Sequence, residues 1–216
     1  PQGDRVELPF VMGVLSALAG DAEVPRISER RFHDVDTLNF DAHLRALGPR
    51  LALNVKNVLD EAASELSIEL SFGCLDDFSP DALMRSVAPL RRLLESRKQL
   101  AELASQGDAA ATQPMLSELD RRLHDQVDLI LQHPAMKQLE ASWRGLHFLV
   151  SNTPHGARDA SLKIRVFNVT KRELHRSLKQ YKGTLWRQSP WFERIHEDEY
   201  GTFGGHPFGC LIADFA

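Results

Sequence analysis

Leu66-Ser-Ile-Glu-Leu-Ser-Phe72 alternates apolar and polar residues without exception. From Ser79-Pro80 onward the apolar period changes from two to about 3.6. Strict alternation is the mark of a strand with one buried face, and the longer period that of a helix laid on a core. A chain holding both must pack helices against sheet. The fold class predicted is therefore α/β (α+β), with mixed β-sheet units and long amphipathic helices.

The remaining elements follow from the same periods and from their punctuation. Leu8–Leu18 is a nearly continuous apolar stretch and reads as a buried strand. Arg26–Asp34 is charged and reads as a loop. Asn39–Gly48 reads as a short helix capped by Asn39, with Phe40, Leu44 and Leu47 on one face and Gly48 as its stop. Leu51, Leu53 and Val55 alternate with Ala52, Asn54 and Lys56, giving a strand joined to Leu66–Phe72 by a hairpin loop around Asp60-Glu61-Ala62. Ser79 is an N-cap with Pro80 at the first helical position. Leu83, Val87, Leu90, Leu94 and Ala101 share a face up to about Ala104, and Pro89 predicts a kink or two abutting helices.

Ser105–Gln113 is small, polar and aperiodic, and reads as a linker. After Pro114, one stripe holds Leu116, Leu119, Leu123, Val127 and Ile130. His133-Pro134 breaks it, and a second stripe holds Met136, Leu139, Trp143, Leu146 and Val150. Thr153–Ala160 reads as a polar loop, and Leu162, Ile164 and Val166 as a strand. Thr170 with Glu173 forms a capping box. Pro190–Ile195 reads as a short helix, Gly201–Gly209 as a glycine-rich loop and Cys210–Phe215 as a strand. The predicted units are 1–104 and 114–216, joined by 105–113, with no internal repeat.

Composition narrows the function. The 216 residues carry a net charge of −4, which excludes a generally basic nucleic-acid binder. No apolar run reaches the roughly 18 residues of a membrane span. Leu8–Ala19 is too short for one, carries Pro9 and Gly13, and lacks the basic flank of a signal peptide. Cys74 and Cys210 form no framework, which fits a reducing cytoplasm. Charge is uneven: residues 1–108 carry net −6 and residues 109–216 net +2, with nine basic residues between Arg158 and Arg187.

Motif by motif, little points to catalysis. The loop Gly201–Gly209 lacks a P-loop ending and precedes a strand, so it reads as a structural turn on Gly201, Gly204, Gly205 and Gly209. His196-Glu-Asp-Glu199 lacks HExxH spacing and reads as a solvated acidic face. A metal-dependent hydrolase built on His196, Glu197, Glu199 and the glycine loop is the remote alternative. Asp76-Asp77 precede a helix start, where negative charge is favourable. The basic tract, with Lys163, Arg165, Lys171 and Arg172, suits an acidic protein partner better than RNA. Residue types and spacing thus support an interaction or scaffold protein, not an enzyme, with no cofactor and no metal.

Two sets of residues resemble the sheath proteins of the type VI secretion system. Glu29-Arg-Arg-Phe-His-Asp-Val-Asp36, Ile68-Glu-Leu-Ser-Phe-Gly-Cys-Leu-Asp-Asp-Phe-Ser-Pro-Asp-Ala82 and Val87-Ala-Pro-Leu-Arg-Arg-Leu-Leu-Glu-Ser-Arg97 look like the small subunit (TssB, VipA or ImpB) over about 7–103. His133-Pro-Ala-Met-Lys-Gln-Leu-Glu-Ala-Ser-Trp-Arg-Gly-Leu-His-Phe-Leu-Val150, Leu162-Lys-Ile-Arg-Val-Phe-Asn-Val-Thr-Lys171 and Glu199-Tyr-Gly-Thr-Phe-Gly-Gly-His-Pro-Phe-Gly209 look like the start of the large subunit (TssC, VipB or ImpC) over about 114–215.

The resemblance implies a contractile-sheath-like fold and a structural part in a helical tube around the Hcp inner tube, whose contraction drives effector delivery. It implies other sheath subunits as partners, with Hcp and baseplate as further ones, and no nucleic acid or membrane. It places Val87, Leu90, Leu93 and Leu94 on the helix that grips the other subunit. The extension that a ClpV-type unfoldase recognises is reduced to the linker, so recycling by that route is not expected of these residues. His206 stands where the family loop carries Glu or Gln. The abrupt ends suggest a piece of a longer polypeptide. A sheath-end cap, baseplate adaptor or assembly regulator is the alternative within the same system.

Overall fold

The structure, a computed structural model, describes residues 9–60, 64–106, 109–153, 162–200, 202 and 204–215. In chain order it contains β1 (Phe10–Ser16), β2 (His33–Asp34), α1 (Phe40–Leu47), β3 (Arg50–Lys56), β4 (Glu65–Ser71), α2 (Pro80–Ser86), α3 (Ala88–Gln106), α4 (Ala109–Leu131) and α5 (Pro134–Ser151). β5 (Leu162–Asn168), α6 (Lys171–Gln180), α7 (Pro190–Phe192), α8 (Asp198–Tyr200) and β6 (Phe208–Asp214) follow. Two compact units result, and they do not follow chain order. One collects Pro1–Ala19, Glu23–His43 and Ala141–Ala216, the other Gly20–Ala22 and Leu44–Glu140.

The first unit is built on a four-stranded sheet in the order β2-β5-β1-β6. β1 runs parallel to β5, from Phe10 opposite Leu162 to Ser16 opposite Asn168. It also runs parallel to β6, from Met12 opposite Cys210 to Ser16 opposite Asp214. A central parallel strand is covered on both faces, which is why β1 reads as an apolar run rather than an alternation. Gly13 fits there because a Cβ would run into the Leu211 side chain. Beyond the strand, Asn168 Oδ1 accepts from the Leu18 and Ala19 amides at 2.9 and 3.2 Å. The Trp143 indole donates to the Leu18 carbonyl at 2.9 Å, and Phe40 meets the same indole edge-on at 5.7 Å. On the sheet, Leu15, Phe167, Val169 and Trp191 form a buried cluster, and the Trp191 indole donates to Ser177 Oγ at 3.0 Å.

The second unit pairs β3 with β4 as an antiparallel hairpin in register from Arg50–Ser71 to Lys56–Glu65. The predicted alternation holds: Leu51, Leu53, Val55, Ile68 and Leu70 are buried, and their neighbours along each strand face outward. The Asn57 amide donates to the Ser64 carbonyl at 3.0 Å and closes the hairpin; Glu61 and Ala62 of its expected loop lie outside the described residues. Fully buried Gln126 holds the far end of β3, donating to the Lys56 carbonyl at 3.0 Å and accepting from the Val58 amide at 2.9 Å.

Ser79 caps α2, accepting from the Ala82 amide at 3.3 Å, and α2 and α3 abut at Val87, as Pro89 predicts. Asp77 serves the start of a 3-10 turn over Leu75–Phe78 rather than that of α2. Its carboxylate accepts from the Gly73 and Cys74 amides at 2.6 and 3.0 Å, tightening the turn that stacks Phe78 on Phe72 at 4.1 Å.

Three expectations need correcting. The Asn39 side chain accepts from the Asp36 amide at 2.9 Å instead of capping α1, because Asp36 already organises that turn by accepting from the Leu38 and Asn39 amides. The stretch expected as a linker is largely helical, since α3 runs to Gln106 and α4 starts at Ala109. Three consecutive alanines are the strongest helix formers, which explains that early start. Pro114 therefore lies inside α4 and not before it. Positions 107 and 108, and most of the polar loop expected at Thr153–Ala160, lie outside the described residues.

Candidate interaction surfaces

The residues implied as a gripping face separate by burial. Val87 and Leu90 are buried within their own unit, while Leu93 and Leu94 are half-buried. Further along the same helix pair, Leu100, Pro114, Met115 and Leu119 line an open apolar groove between α3 and α4. Arg97 on α3 forms a fork with Asp120 on α4, so the two helices are tied as well as packed. Of the expected face, only Leu93 and Leu94 keep partial exposure.

The glycine loop serves turn geometry. Gly204 has φ +84°, and a Cβ at Gly205 would collide with the Glu199 carbonyl. Gly209 is crossed by the Phe10 ring of β1. Gly201 lies outside the described residues. Within the turn, the His206 amide donates to the Glu199 carboxylate at 2.8 Å.

Glu199 also receives Arg165, whose guanidinium reaches Asp34 at 2.7 Å and lies over the Phe208 ring at 5.8 Å. Arg165 is thus an internal clasp holding the end of α8 to β5, and not part of an open docking face. Lys163 lines a small cavity with Asp34 and Asp36. Lys171 and Arg172 stand exposed on the first turn of α6. The four expected cations do not form one free surface.

The group His196-Glu-Asp-Glu199 is likewise dispersed. The His196 ring stacks between Phe192 at 4.7 Å and Tyr200 at 5.0 Å, Asp198 pairs with Arg194 at 2.8 Å, and Glu199 is held as above. Among the described residues, no three His, Cys, Asp or Glu side chains gather where a metal ion could be held. No described helix is long and apolar enough to cross a membrane.

Among the described residues of the first unit, two titratable groups are displaced. Burial, reinforced by the neighbouring His33, lowers the His43 pKa to about 4. For Glu173, burial opposes the charge, but hydrogen bonds from Arg30 and Thr170 outweigh it and leave the carboxyl below its usual range. The predicted capping box is present here, with the Glu173 amide donating to Thr170 Oγ1 at 3.1 Å and the Thr170 amide to Glu173 at 2.9 Å.

Sequence reasoning passed over an aromatic ladder. Phe192, His196 and Tyr200 recur every four residues, and a π-helical turn over Glu193–Glu197 keeps them on one side of the helical run from Pro190 to Tyr200. Trp186 meets Phe192 edge-on at 6.4 Å and extends the ladder. The spacing was available as a signal.

Comparison with known proteins decides the family. The family model "Type VI secretion system, VipA" matches residues 2–138, and that of "VipB, tail sheath N-terminal domain" matches residues 113–216. The chain belongs to the type VI secretion system sheath family. It joins a VipA (TssB) part to the N-terminal part of VipB (TssC).

The sheath protein TssC1 of Pseudomonas aeruginosa is 40% identical over 158 residues, covering 72% of this chain and 31% of that protein. TssB1 of the same organism is 47% identical over 106 residues, covering 48% of this chain and 61% of that protein. The chain therefore spans about a third of one curated relative and three fifths of the other. Among solved structures, a chain of the "VipA-N2/VipB contracted sheath of type VI secretion system" is 38% identical, with a TM-score of 0.36, covering 38% of this chain and 66% of that one. In these terms β1 is a VipA strand, and both strands flanking it, β5 and β6, are VipB strands.

Proposed function

We propose that the chain is a structural component of a contractile sheath, working in the cytoplasm without catalysis. In this reading it assembles with other sheath subunits into a helical tube around an Hcp inner tube, attached to a baseplate. The observation that carries it is β1. A VipA strand seated between two VipB strands builds the sheet of the first unit from both parts, as expected of subunits that interlock in a load-bearing lattice. Contraction would be driven by inter-subunit contacts that exchange between two packed arrangements. The VipA part at 1–104 and the VipB part at 114–216 meet at the joint 105–113. Leu93 and Leu94, with Lys171 and Arg172, are the contact residues that remain open on their elements. Both relatives named above are sheath proteins, and His196 and Glu199 of the hydrolase alternative are held in separate contacts.

Electron microscopy of the chain mixed with TssB, TssC and Hcp tests this. Incorporation of the labelled chain along tubes is expected. Tubes that form without it, leaving it as free monomers under every assembly condition, would overturn it.

A further inference from the structure

Between Glu173 and Glu193 the chain carries no carboxylate over nineteen residues, yet it carries Arg176, Lys179, Lys182 and Arg187. All four cations are exposed, and among the described residues none forms an ion pair. The same region exposes apolar surface. Leu178, Leu185, Trp186 and Tyr200 are four of the protein's exposed large apolar side chains, with Tyr200 62% accessible. A groove lined by Arg187, Phe192, His196, Glu197 and Tyr200 runs along the aromatic ladder. Uncompensated exposed cations and open aromatic side chains within one stretch of chain, with Arg187 lining the aromatic groove, form the composition of a protein interface, where aromatics and Arg supply the anchors.

The complementary charge lies in the same chain. The residues of the second unit, Gly20–Ala22 and Leu44–Glu140, hold eleven basic and sixteen acidic groups, net −5. We propose that the surface of Arg176, Lys179, Lys182, Arg187 and the Trp186–Tyr200 ladder docks the acidic second unit of another copy of this chain. The contact is heterologous, since one patch meets a different patch, and such contacts propagate into rings or helical filaments. The proposal deepens the sheath reading and rests on it, by assigning one surface through which copies follow one another.

Sedimentation of the 216-residue chain tests it. At about 50 mM salt the weight-average mass rises with concentration. At about 1 M, where screening acts within roughly 3 Å, it returns to that of the monomer. The variant Arg176→Glu/Lys179→Glu/Lys182→Glu/Arg187→Glu associates at least tenfold more weakly at low salt. Added to wild type, it shortens the wild-type assemblies, because its intact acidic unit still caps a free basic surface. The milder Lys179→Gln/Lys182→Gln variant gives an intermediate loss and covers the case in which the fourfold change disturbs folding.

Unchanged association of a folded charge-reversed variant overturns the proposal while leaving tube incorporation, and so the sheath reading, untouched. A wild type that stays monomeric at low salt overturns it too. So does tight binding of a labelled oligouridylate that the charge reversal abolishes, because the surface would then serve nucleic acid.

Discussion

Arg30 and Glu173 lie 143 residues apart and meet in a bidentate pair, Nη1 to Oε2 at 3.1 Å and Nη2 to Oε1 at 2.6 Å. The same Nη1 also donates to the Asn168 carbonyl at 3.0 Å. The loop before β2, from the VipA part, is thereby fixed to the turn between β5 and α6, from the VipB part. Replacing Arg30 with Met removes these bonds and leaves a partly buried carboxylate. The expected loss, read by urea denaturation at pH 7, is on the order of 2 kcal/mol. Glu173 titrates below its unfolded value of about 4.3, so its contribution is present above that pH and fades as pH falls through the lower folded value. The difference between wild type and Arg30→Met should therefore narrow at pH 3.

His43 gives a second, separate pH dependence. Its unfolded pKa is about 6.5 and its folded pKa about 4, so between these values the folded state binds fewer protons than the unfolded one. Stability should fall as pH drops from about 6.5 towards 4, and His43→Gln should flatten that part of the profile. Denaturation midpoints of both proteins at half-unit pH steps provide the comparison, and parallel profiles would remove His43 from the account.

Gln126 is buried at the edge of the hairpin with both amide groups used. Gln126→Leu keeps the volume but orphans the Val58 amide and the Lys56 carbonyl. The expected cost is on the order of 2 kcal/mol. Faster hydrogen exchange should be confined to Lys56–Val58, and a global loosening of α4 would argue against this local role.

Gly205→Ala tests the reading of the glycine loop as a turn. The added methyl meets the Glu199 carbonyl, so the loop must shift and release the His206 amide from Glu199. A melting temperature lowered by several degrees is expected. Gly204 has nothing within 4 Å of a built Cβ but holds φ +84°, so Gly204→Ala should cost only its backbone strain, about 1 kcal/mol.

How legible this was from the sequence depended on range. The alternations of Leu51–Val55 and Leu66–Phe72, the cap at Ser79 and the Thr170–Glu173 box are local patterns, and each appears where its period or spacing places it. Small residues before Pro114 have the composition of a linker, yet alanine is itself a helix former, and α4 starts at Ala109. Neighbours far along the chain leave no local trace. Nothing around Arg165 announces Asp34, 131 residues away, which is why an internal clasp resembled an open basic face. The aromatic ladder is visible in its spacing of four, but it straddles the expected helix end at Ile195 and the acidic group that begins at His196, which the structure joins in one helical run.

The interleaving of the two sheath parts within one chain is the central claim, and a cross-strand disulfide tests it most directly. Val14 on β1 and Val166 on β5 are register partners and both are buried. Neighbouring strands stand about 4.8 Å apart, within disulfide reach. In a background with Cys74 and Cys210 replaced by Ser, Val14→Cys/Val166→Cys should oxidise to an intramolecular bond. It would run as a compact monomer without reductant and as the ordinary monomer with it. Free thiols, or covalent dimers formed because β1 enters the sheet of another copy, would contradict the account.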